Sequence, residues 1–331
     1  MIDTQTANRF RRLGLLTICA VYIVILAGGI VRASGAGMGC PDWPTCFGQW
    51  IPPTQEAQLP ANYHDIYAVG YENTTFNPLK TWTEYVNRLV GASTGILVFL
   101  TAWASRIYLK GDKGIFYLTL SVFLLIGFQG WLGSAVVASN LKPLMITLHM
   151  LLALFIVGLL IYAIARSQQP LLATVDASGL PERFGTVLKV AMGMTLLQIA
   201  MGTQVREAID FIAHQHSYID RQFWREDFPI IFYVHRSFSS LILFTNAWLV
   251  WKLHQPHRAL AESRRSTLLL RSGQGLMALI VIAILAGVSL DRLGFPAVAQ
   301  PVHLLMASLI FGAQAFLFIC LHYARRIPVN A

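Results

Sequence analysis

Eight long apolar stretches, separated by short polar segments, run through the 331 residues of the chain. Each has about 20 residues, which is the length of α-helix that crosses the hydrocarbon core of a bilayer. The pattern predicts an all-α polytopic membrane protein with eight transmembrane helices. The predicted spans cover residues 13–31, 84–105, 115–136, 144–165, 184–205, 229–251, 268–289 and 299–323.

Composition supports this class and excludes a soluble protein. Hydrophobic residues make up 55% of the chain and charged residues only 12%, and the mean hydropathy is +0.56. The average soluble domain has about twice that charged fraction. The first span is too long for the apolar region of a cleavable signal peptide, so we expect it to remain in the protein.

The chain contains an internal duplication. The triplet Val-Asn-Arg at 86–88 recurs as Val-His-Arg at 234–236. The spacing of sixteen residues between a glycine and a later histidine also occurs twice, in Gly133 with His149 and Gly287 with His303. We therefore expect two duplicated four-helix bundles. The predicted divisions are an N-terminal repeat at 1–167, a cytoplasmic linker at 168–183 and a C-terminal repeat at 184–331.

Charge predicts the orientation in the membrane. With the N-terminus in the cytoplasm, most of the 25 Lys and Arg residues lie in cytoplasmic connections, as in most membrane proteins. Both termini are then cytoplasmic in a cell (inner) membrane. The net charge of +9 is interpreted as this topology signal, with attraction to anionic lipid, and not as a nucleic-acid-binding surface.

Four repeat-matched polar positions lie near the starts of the even-numbered spans: Asn87, His149, His235 and His303. In this orientation they form two pairs at one depth, close to the outer surface. Ionisable side chains inside a membrane are costly and usually mark a functional site. A single histidine is often only hydrogen-bonded to a neighbouring helix, but the repetition favours a ligand-binding role.

Haem is the ligand that such pairs fit best. Zinc usually takes three or four protein ligands, often with locally spaced Cys or carboxylate residues, and the sequence has no HExxH or CxxC motif. Haem iron needs only one or two axial ligands, which imidazoles on facing helices supply. The sequence therefore predicts haem sites in the bundles, toward the outer side.

Arginines accompany these positions in both halves. Arg32 and Arg206 end the first and fifth spans, and Arg88 and Arg236 directly follow the ligand positions. Because outer-side arginines oppose the usual charge bias, we expect carboxylate partners, and bidentate pairing with haem propionates would supply them. The alternative is that these side chains extend to lipid phosphates.

The longest predicted outer loop begins with the string Ser-Gly-Ala-Gly-Met-Gly-Cys-Pro-Asp-Trp-Pro-Thr-Cys at 34–46. Its glycines and prolines force tight turns, which could bring Cys40 and Cys46 close enough for a disulfide. Two roles are open for this bond: a structural constraint on the loop, or a part in redox chemistry or haem handling.

Glu84 lies three residues before Asn87, so both face the same side of a helix. A carboxylate beside a haem pocket can act as a base or stabilise developing positive charge. An acidic residue at a helix N-terminus, favoured by the helix dipole, is the alternative. The matching position in the second half is Phe232, which suggests that only the first half performs chemistry.

Together, the duplicated helices, the string at 30–46, the motif at 84–88 and the three histidines resemble the haem A synthase family of the CtaA type, over essentially the whole chain. The resemblance implies an enzyme that oxidises the C8 methyl group of haem O to a formyl group, giving haem A. It implies that His235 and His303 hold a haem B cofactor, and that the substrate haem lies beside Glu84 and His149.

The resemblance also implies partners. These are a haem O synthase upstream, cytochrome oxidase assembly downstream and an electron-transfer partner; a homo-oligomer is compatible with it. Two departures stand out: Asn87 replaces the family's usual histidine, and the loop at 206–228 lacks the cysteine pair of some members. His214 and His216 in that loop are expected to be solvated surface residues.

A different class of function is the alternative. A b-type membrane cytochrome would carry electrons or haem without modifying it, and both the duplication and Asn87 permit this. Glu84 discriminates the two, because an electron carrier has no need for a carboxylate beside one haem only. A transporter is less favoured, since the helices lack paired charges and interruptions at mid-membrane depth.

Overall fold

A computed structural model describes residues 4–67, 75–216, 224–259 and 267–324, without the side chains of 256–259. This part of the chain contains eight long helices and no strand. They are α1 (Thr4–Ala33), α2 (Pro78–Ala104), α3 (Lys113–Ala138), α4 (Pro143–Arg166), α5 (Phe184–Gln215), α6 (Ile230–Ala259), α7 (Thr267–Arg292) and α8 (Ala299–Tyr323).

The predicted class, an all-α polytopic membrane protein, is confirmed. Within the described ranges, seven of these helices are long and apolar enough to cross a membrane, and α6 is the exception. The sequence of α6 includes His235, Arg236, Asn246 and Lys252, which lower its mean hydropathy. The predicted number of eight spans is therefore approximate, although each predicted span coincides with a helix.

Several helices extend beyond the predicted spans. Their backbone hydrogen bonds continue into segments whose side chains are too polar to have been counted in an apolar span. α2 begins at Pro78, whose missing N–H is harmless in a first turn, after Asn77 as N-cap. The Asn77 Oδ1 accepts from Lys80 N at 3.1 Å. Glu84 therefore lies beyond the first turn, where the helix dipole has little effect. The alternative of a simple N-terminal acid does not fit.

The chain divides into two compact units. The first consists of Met1–Ile156 with Pro296–Leu305, and the second of Val157–Phe295 with Met306–Ala331. Two of the three boundaries fall inside helices, in α4 and α8, and the third lies between α7 and α8. The predicted repeats at 1–167 and 184–331, with their linker, stay a prediction.

Each unit has buried contacts of its own. In the first, α1 and α2 are joined by a hydrogen bond of 2.7 Å between the hydroxyl oxygens of Thr17 and Thr101, both fully buried. In the second, an apolar core surrounds Phe184, Leu188 and Leu249. Two segments that contribute to the predicted cytoplasmic charge, 260–266 and 325–331, lie outside the described residues.

Candidate functional site

The four repeat-matched positions lie on four different helices. Asn87 is in α2, His149 in α4, His235 in α6 and His303 in α8, and all four are partly buried. Asn87, His149 and His303 belong to the first compact unit and His235 to the second. Their sharing of haems in two pairs stays a prediction from the sequence.

Three of these side chains each lie against a different glycine on the preceding helix. A Cβ added at Gly133 would lie 3.3 Å from Cε1 of His149, and a Cβ at Gly202 would lie 3.3 Å from Cε1 of His235. At Gly28 the nearest atom is Oδ1 of Asn87, at 4.0 Å. The histidine distances are tighter than ordinary van der Waals contact, so both rings occupy space that any other residue would partly fill.

Buried polar atoms at two of these positions lack partners. Nδ1 of His149 and Oδ1 of Asn87 have no hydrogen bond in the described part of the chain. Leaving a buried polar atom unsatisfied costs about 1–3 kcal/mol, which points to a group that the chain does not itself supply. Neutral imidazole is a common axial ligand of haem iron, whereas an amide oxygen is a poor one. Of these two residues, only His149 offers a strong axial ligand.

The disulfide loop, which we define as residues 34–67, follows α1 directly. It contains the predicted bond between Cys40 and Cys46, whose Cα atoms are 4.8 Å apart. The carboxylate of Asp42 accepts hydrogen bonds from the Thr45 hydroxyl and from the backbone N–H of Phe47 and Gly48. One side chain thus organises the turn that brings the two cysteines together.

An apolar cluster supports this turn. Cys40, Cys46 and Phe47 are buried together with Tyr63, and the rings of Phe47 and Tyr63 meet edge to face at 6.3 Å. The Tyr63 hydroxyl donates to the Glu56 carboxylate at 3.0 Å. Burial and this acceptor both raise the pKa of Tyr63 above its ordinary value.

Glu84 and Arg88 connect α2 to the disulfide loop. Glu84 is buried; its Oε2 accepts from the backbone N–H of Cys40 at 2.8 Å, and its Oε1 accepts from Nη2 of Arg88 at 2.7 Å. Arg88 also donates to the carbonyl oxygens of Cys40, Asp42 and Thr45, at 3.1, 2.6 and 2.8 Å. A carboxylate has about four acceptor positions, so Glu84 retains capacity for a further partner.

Gly39 allows the loop to approach α2 this closely. A Cβ at Gly39 would lie 2.5 Å from the backbone carbonyl oxygen of Lys80, which cannot move aside within a helix. Thr81 on the same turn donates its hydroxyl to the Gly39 carbonyl oxygen at 2.9 Å. The glycine is therefore required by contact with the neighbouring backbone.

Gly39→Ala is expected to displace the loop and break the hydrogen bond from Cys40 N to Glu84. A larger fraction of Cys40 and Cys46 should then be found reduced and reactive, measured by thiol labelling and mass spectrometry. Gly95→Ala is the matched control, because Gly95 lies in α2 with nothing within 4 Å of the added Cβ. Labelling of Gly39→Ala no greater than that of the control would contradict this account of the loop.

Protein carboxylates already contact two further arginines of the predicted propionate set. Arg206 lies 2.8 Å from Asp210, one turn later in α5. Arg236 lies 3.4 Å from Asp291, which also pairs with Arg225. These arginines do have carboxylate partners, as expected. The partners are aspartates of the chain itself and not haem propionates.

Arg32 lies in the last turn of α1, where the helix dipole favours a cation. Arg88, like Arg206 and Arg236, contacts a carboxylate of the chain. The propionate role of all four arginines stays a prediction. His216, at the C-terminal end of α5, pairs with Asp227 at 2.8 Å, near the surface.

Comparison with known sequences decides the family. A sequence model described as COX15-CtaA, cytochrome oxidase assembly protein, matches residues 11–315. The chain belongs to the COX15-CtaA family. The predicted family resemblance is thereby confirmed, since the match includes the disulfide loop, Glu84 and all three histidines.

Curated relatives of this COX15-CtaA protein carry the name heme A synthase. The relative from Shewanella oneidensis is 30% identical over 187 residues, which is 56% of this chain and 54% of the relative. That from Shouchella clausii is 33% identical over 141 residues, 42% and 39% of the two chains. That from Azorhizobium caulinodans is 29% identical over 197 residues, 55% and 54%. The chain thus spans about half, or less, of the length of these relatives.

Sequence reasoning missed several polar residues of this COX15-CtaA protein. Asp42 and Asp291 organise loops, and Gln129 and Gln198 contact the backbone of ligand-position histidines. One signal was present for the glutamines: each lies four residues before a glycine that receives a histidine. Asp42 has no comparable signal, because its partners depend on the path of the loop.

Proposed function

We propose that the protein is a haem A synthase, which oxidises the C8 methyl group of haem O to a formyl group. The observation that carries this is a single compact unit containing both the buried carboxylate of Glu84 and a partly buried imidazole, His149, with an unpartnered nitrogen. A carboxylate and one axial ligand are what oxidation of a bound haem requires from the chain.

In this proposal His149 binds the iron of the substrate haem, and Gly133 leaves the space in which its ring sits. Asn87 lines the opposite side without supplying a strong ligand, so the substrate exchanges more easily than a haem held by two imidazoles. Arg32 and Arg88 lie on the same unit. Both terminal nitrogens of Arg88 already donate to Glu84 and to loop carbonyl oxygens, so Arg32 is the stronger candidate of the two for contact with a propionate.

Glu84 has two functions here. It holds the disulfide loop through Cys40 N and Arg88, and its remaining acceptor capacity serves as a base, or stabilises positive charge that develops during oxidation. Because the carboxylate is buried, water screens its charge little, and its effect on a nearby reacting group is large.

For the cofactor, His235 and His303 are proposed as axial ligands of haem B, with Arg206 and Arg236 near its propionates. When bound there, haem B would supply one-electron transfer. Gly202 leaves the space that the His235 ring occupies, which supports this part of the proposal.

The proposed location is a cell membrane, with both termini in the cytoplasm and the haem sites toward the outer side. The Cys40–Cys46 disulfide supports this orientation, since such bonds persist on the oxidising side of the membrane. Haem O from a prenylating haem O synthase is the proposed supply, and haem A for cytochrome oxidase assembly the product. The conversion of methyl to formyl adds one oxygen atom, which water can supply, and releases electrons and protons; an electron-transfer partner is proposed to accept the electrons.

A b-type membrane cytochrome is the second candidate, and one observation favours it. Both oxygens of Glu84 already accept hydrogen bonds that hold the disulfide loop. A structural function therefore accounts for a carboxylate in one half only. Without chemistry at Glu84, the two haem sites would simply carry electrons.

Haem extraction distinguishes the candidates. The protein is purified from a host that supplies haem O, and its haems are identified by mass. Haem A, or its hydroxylated precursor, together with haem B is the result expected of the synthase. Haem B alone, in a host shown to contain haem O, would support the cytochrome.

Asn87→His tests the departure from the family pattern. Gly28 faces Asn87 as Gly133 and Gly202 face the histidines, so an imidazole can be accommodated there. We expect the substrate-loaded protein to change from one strong axial ligand to two, giving a six-coordinate low-spin signal in electron paramagnetic resonance. Asn87→Ala is the control and should leave the signal unchanged. An unchanged spectrum in Asn87→His would show that the substrate haem does not lie between residues 87 and 149.

A further inference from the structure

The same side-chain contact occurs once in each compact unit. In the first, Nε2 of Gln129 on α3 donates to the backbone carbonyl oxygen of His149 on α4, at 2.9 Å. In the second, Nε2 of Gln198 on α5 donates to the backbone carbonyl oxygen of His235 on α6, at 3.0 Å. In both cases the acceptor belongs to a proposed iron ligand, not to one of its neighbours.

Each glutamine also shares a helix face with the glycine that receives the imidazole. Gln129 lies four residues before Gly133, and Gln198 lies four residues before Gly202, so each pair is stacked one turn apart. The histidine is thus constrained twice by one face of the preceding helix. The amide holds its backbone, and the glycine receives its ring.

In the second unit the amide reaches the imidazole as well. Nε2 of Gln198 lies 3.4 Å from Nε2 of His235, besides its bond to the carbonyl oxygen. An amide N–H that donates to Nε2 uses the lone pair of that nitrogen, which leaves Nδ1 as the nitrogen that can bind iron. The ring faces Gly202 through its Cε1 edge. The amide and the glycine of the preceding helix thus both contact this ring.

The two glutamines do not have all of their own hydrogen-bonding groups satisfied. Oε1 of Gln129 and Oε1 of Gln198 are both buried, and neither has a partner within the described ranges. An amide with an unsatisfied oxygen inside an apolar helix bundle is unfavourable. A residue kept there despite this is expected to have a function in the site.

The glutamine is present at only two of the four ligand positions. Asn87 faces Gly28, but the residue four positions before that glycine is Val24. Before Gly287, which the sequence matches with His303, the corresponding residue is Ala283. The amide therefore accompanies one histidine in each unit and is not a general feature of the repeat.

We infer that Gln129 and Gln198 are positioning residues, each of which orients one axial histidine for its haem. The inference rests on the proposed function, since it assumes that His149 and His235 bind iron. Groups that orient a metal ligand typically change metal affinity by about 10–100-fold when removed. Each haem would then have one imidazole whose direction is determined by an amide and a glycine of the preceding helix.

Gln198→Leu in the purified holoprotein is the test. We expect haem B to be lost to an excess of haem-binding apoprotein about 10-fold faster or more, with a broadened or shifted low-spin signal in electron paramagnetic resonance. Gln204→Leu is the matched control, because Gln204 is exposed on the same helix. Gln129→Leu should weaken binding of added haem O similarly, while leaving haem B in place.

Gly202→Val tests the same arrangement around His235 if Gln198→Leu does not fold. It fills the space of the His235 ring, whereas Gly193→Val on the same helix meets nothing within 4 Å of the added Cβ. Faster haem loss in Gly202→Val but not in Gly193→Val is expected. Wild-type rates and spectra in Gln198→Leu would overturn the inference, as would wild-type behaviour of Gly202→Val if Gln198→Leu does not fold.

His235→Ala, measured in parallel, separates this inference from the proposed function. If His235→Ala loses haem B and Gln198→Leu is unchanged, the ligand assignment stands and the positioning role is wrong. If His235→Ala retains the full low-spin signal, the ligand assignment itself is wrong, and the positioning role is refuted with it.

Discussion

Glu84→Gln is expected to lower haem A formation by about 100-fold or more while haem B content stays unchanged. The amide keeps an oxygen that can accept from Cys40 N, but it can neither take up a proton nor pair its charge with Arg88. The measurement is the amount of haem A and of hydroxylated precursor per haem B, by mass, in a host that supplies haem O.

Thr81→Val is the matched control. Thr81 is buried in α2, one turn before Glu84, and its hydroxyl also holds the disulfide loop, through Gly39. The substitution removes a loop contact and leaves the carboxylate intact. If Thr81→Val lowers haem A formation as much as Glu84→Gln does, then the loop and not the carboxylate explains the loss. Normal turnover in Glu84→Gln would exclude Glu84 as the catalytic residue.

The second large effect is expected from His235→Ala and from His303→Ala, each of which should abolish the low-spin haem B spectrum. Each imidazole is proposed to supply one of two axial bonds, and a methyl group cannot replace it. The measurements are the reduced-minus-oxidised optical spectrum and the haem B content per protein. Both should fall to a small fraction of the wild-type value.

Two other histidines on the same helices serve as controls. His254 lies in α6 with Nδ1 2.8 Å from the carbonyl oxygen of Val250, and His322 lies at the end of α8 beside Tyr323. His254→Ala and His322→Ala should retain haem B. Retention of the low-spin spectrum in both His235→Ala and His303→Ala would place the cofactor elsewhere.

The disulfide loop illustrates the limit of reasoning from sequence. The glycines and prolines around Cys40 and Cys46 indicated a tight turn, and the disulfide is present. The contact of Glu84 with Cys40 was not predictable, because Cys40 is 44 residues earlier in the chain. Its pair with Arg88, one helical turn later, could have been anticipated. Only the folded loop shows that the carboxylate predicted to act on haem also holds this turn.

The arginines show the same limit. Their repetition in both halves was visible in the sequence and indicated a need for carboxylate partners. Arg206 lies one turn before Asp210, so that pair could have been anticipated. The pair between Arg236 and Asp291 could not, because the two residues are on different helices.

The sequence by itself determined the class of protein, the helices, the family and the four repeat-matched positions. It could do so because a bilayer imposes apolar runs of definite length, and because duplication preserves spacing along the chain. The tertiary structure decided which polar groups meet: Glu84 with the disulfide loop, Asp291 with two arginines, and Gln129 and Gln198 with the ligand-position histidines. These hydrogen bonds depend on distances between helices and loops, which hydropathy along one chain does not encode.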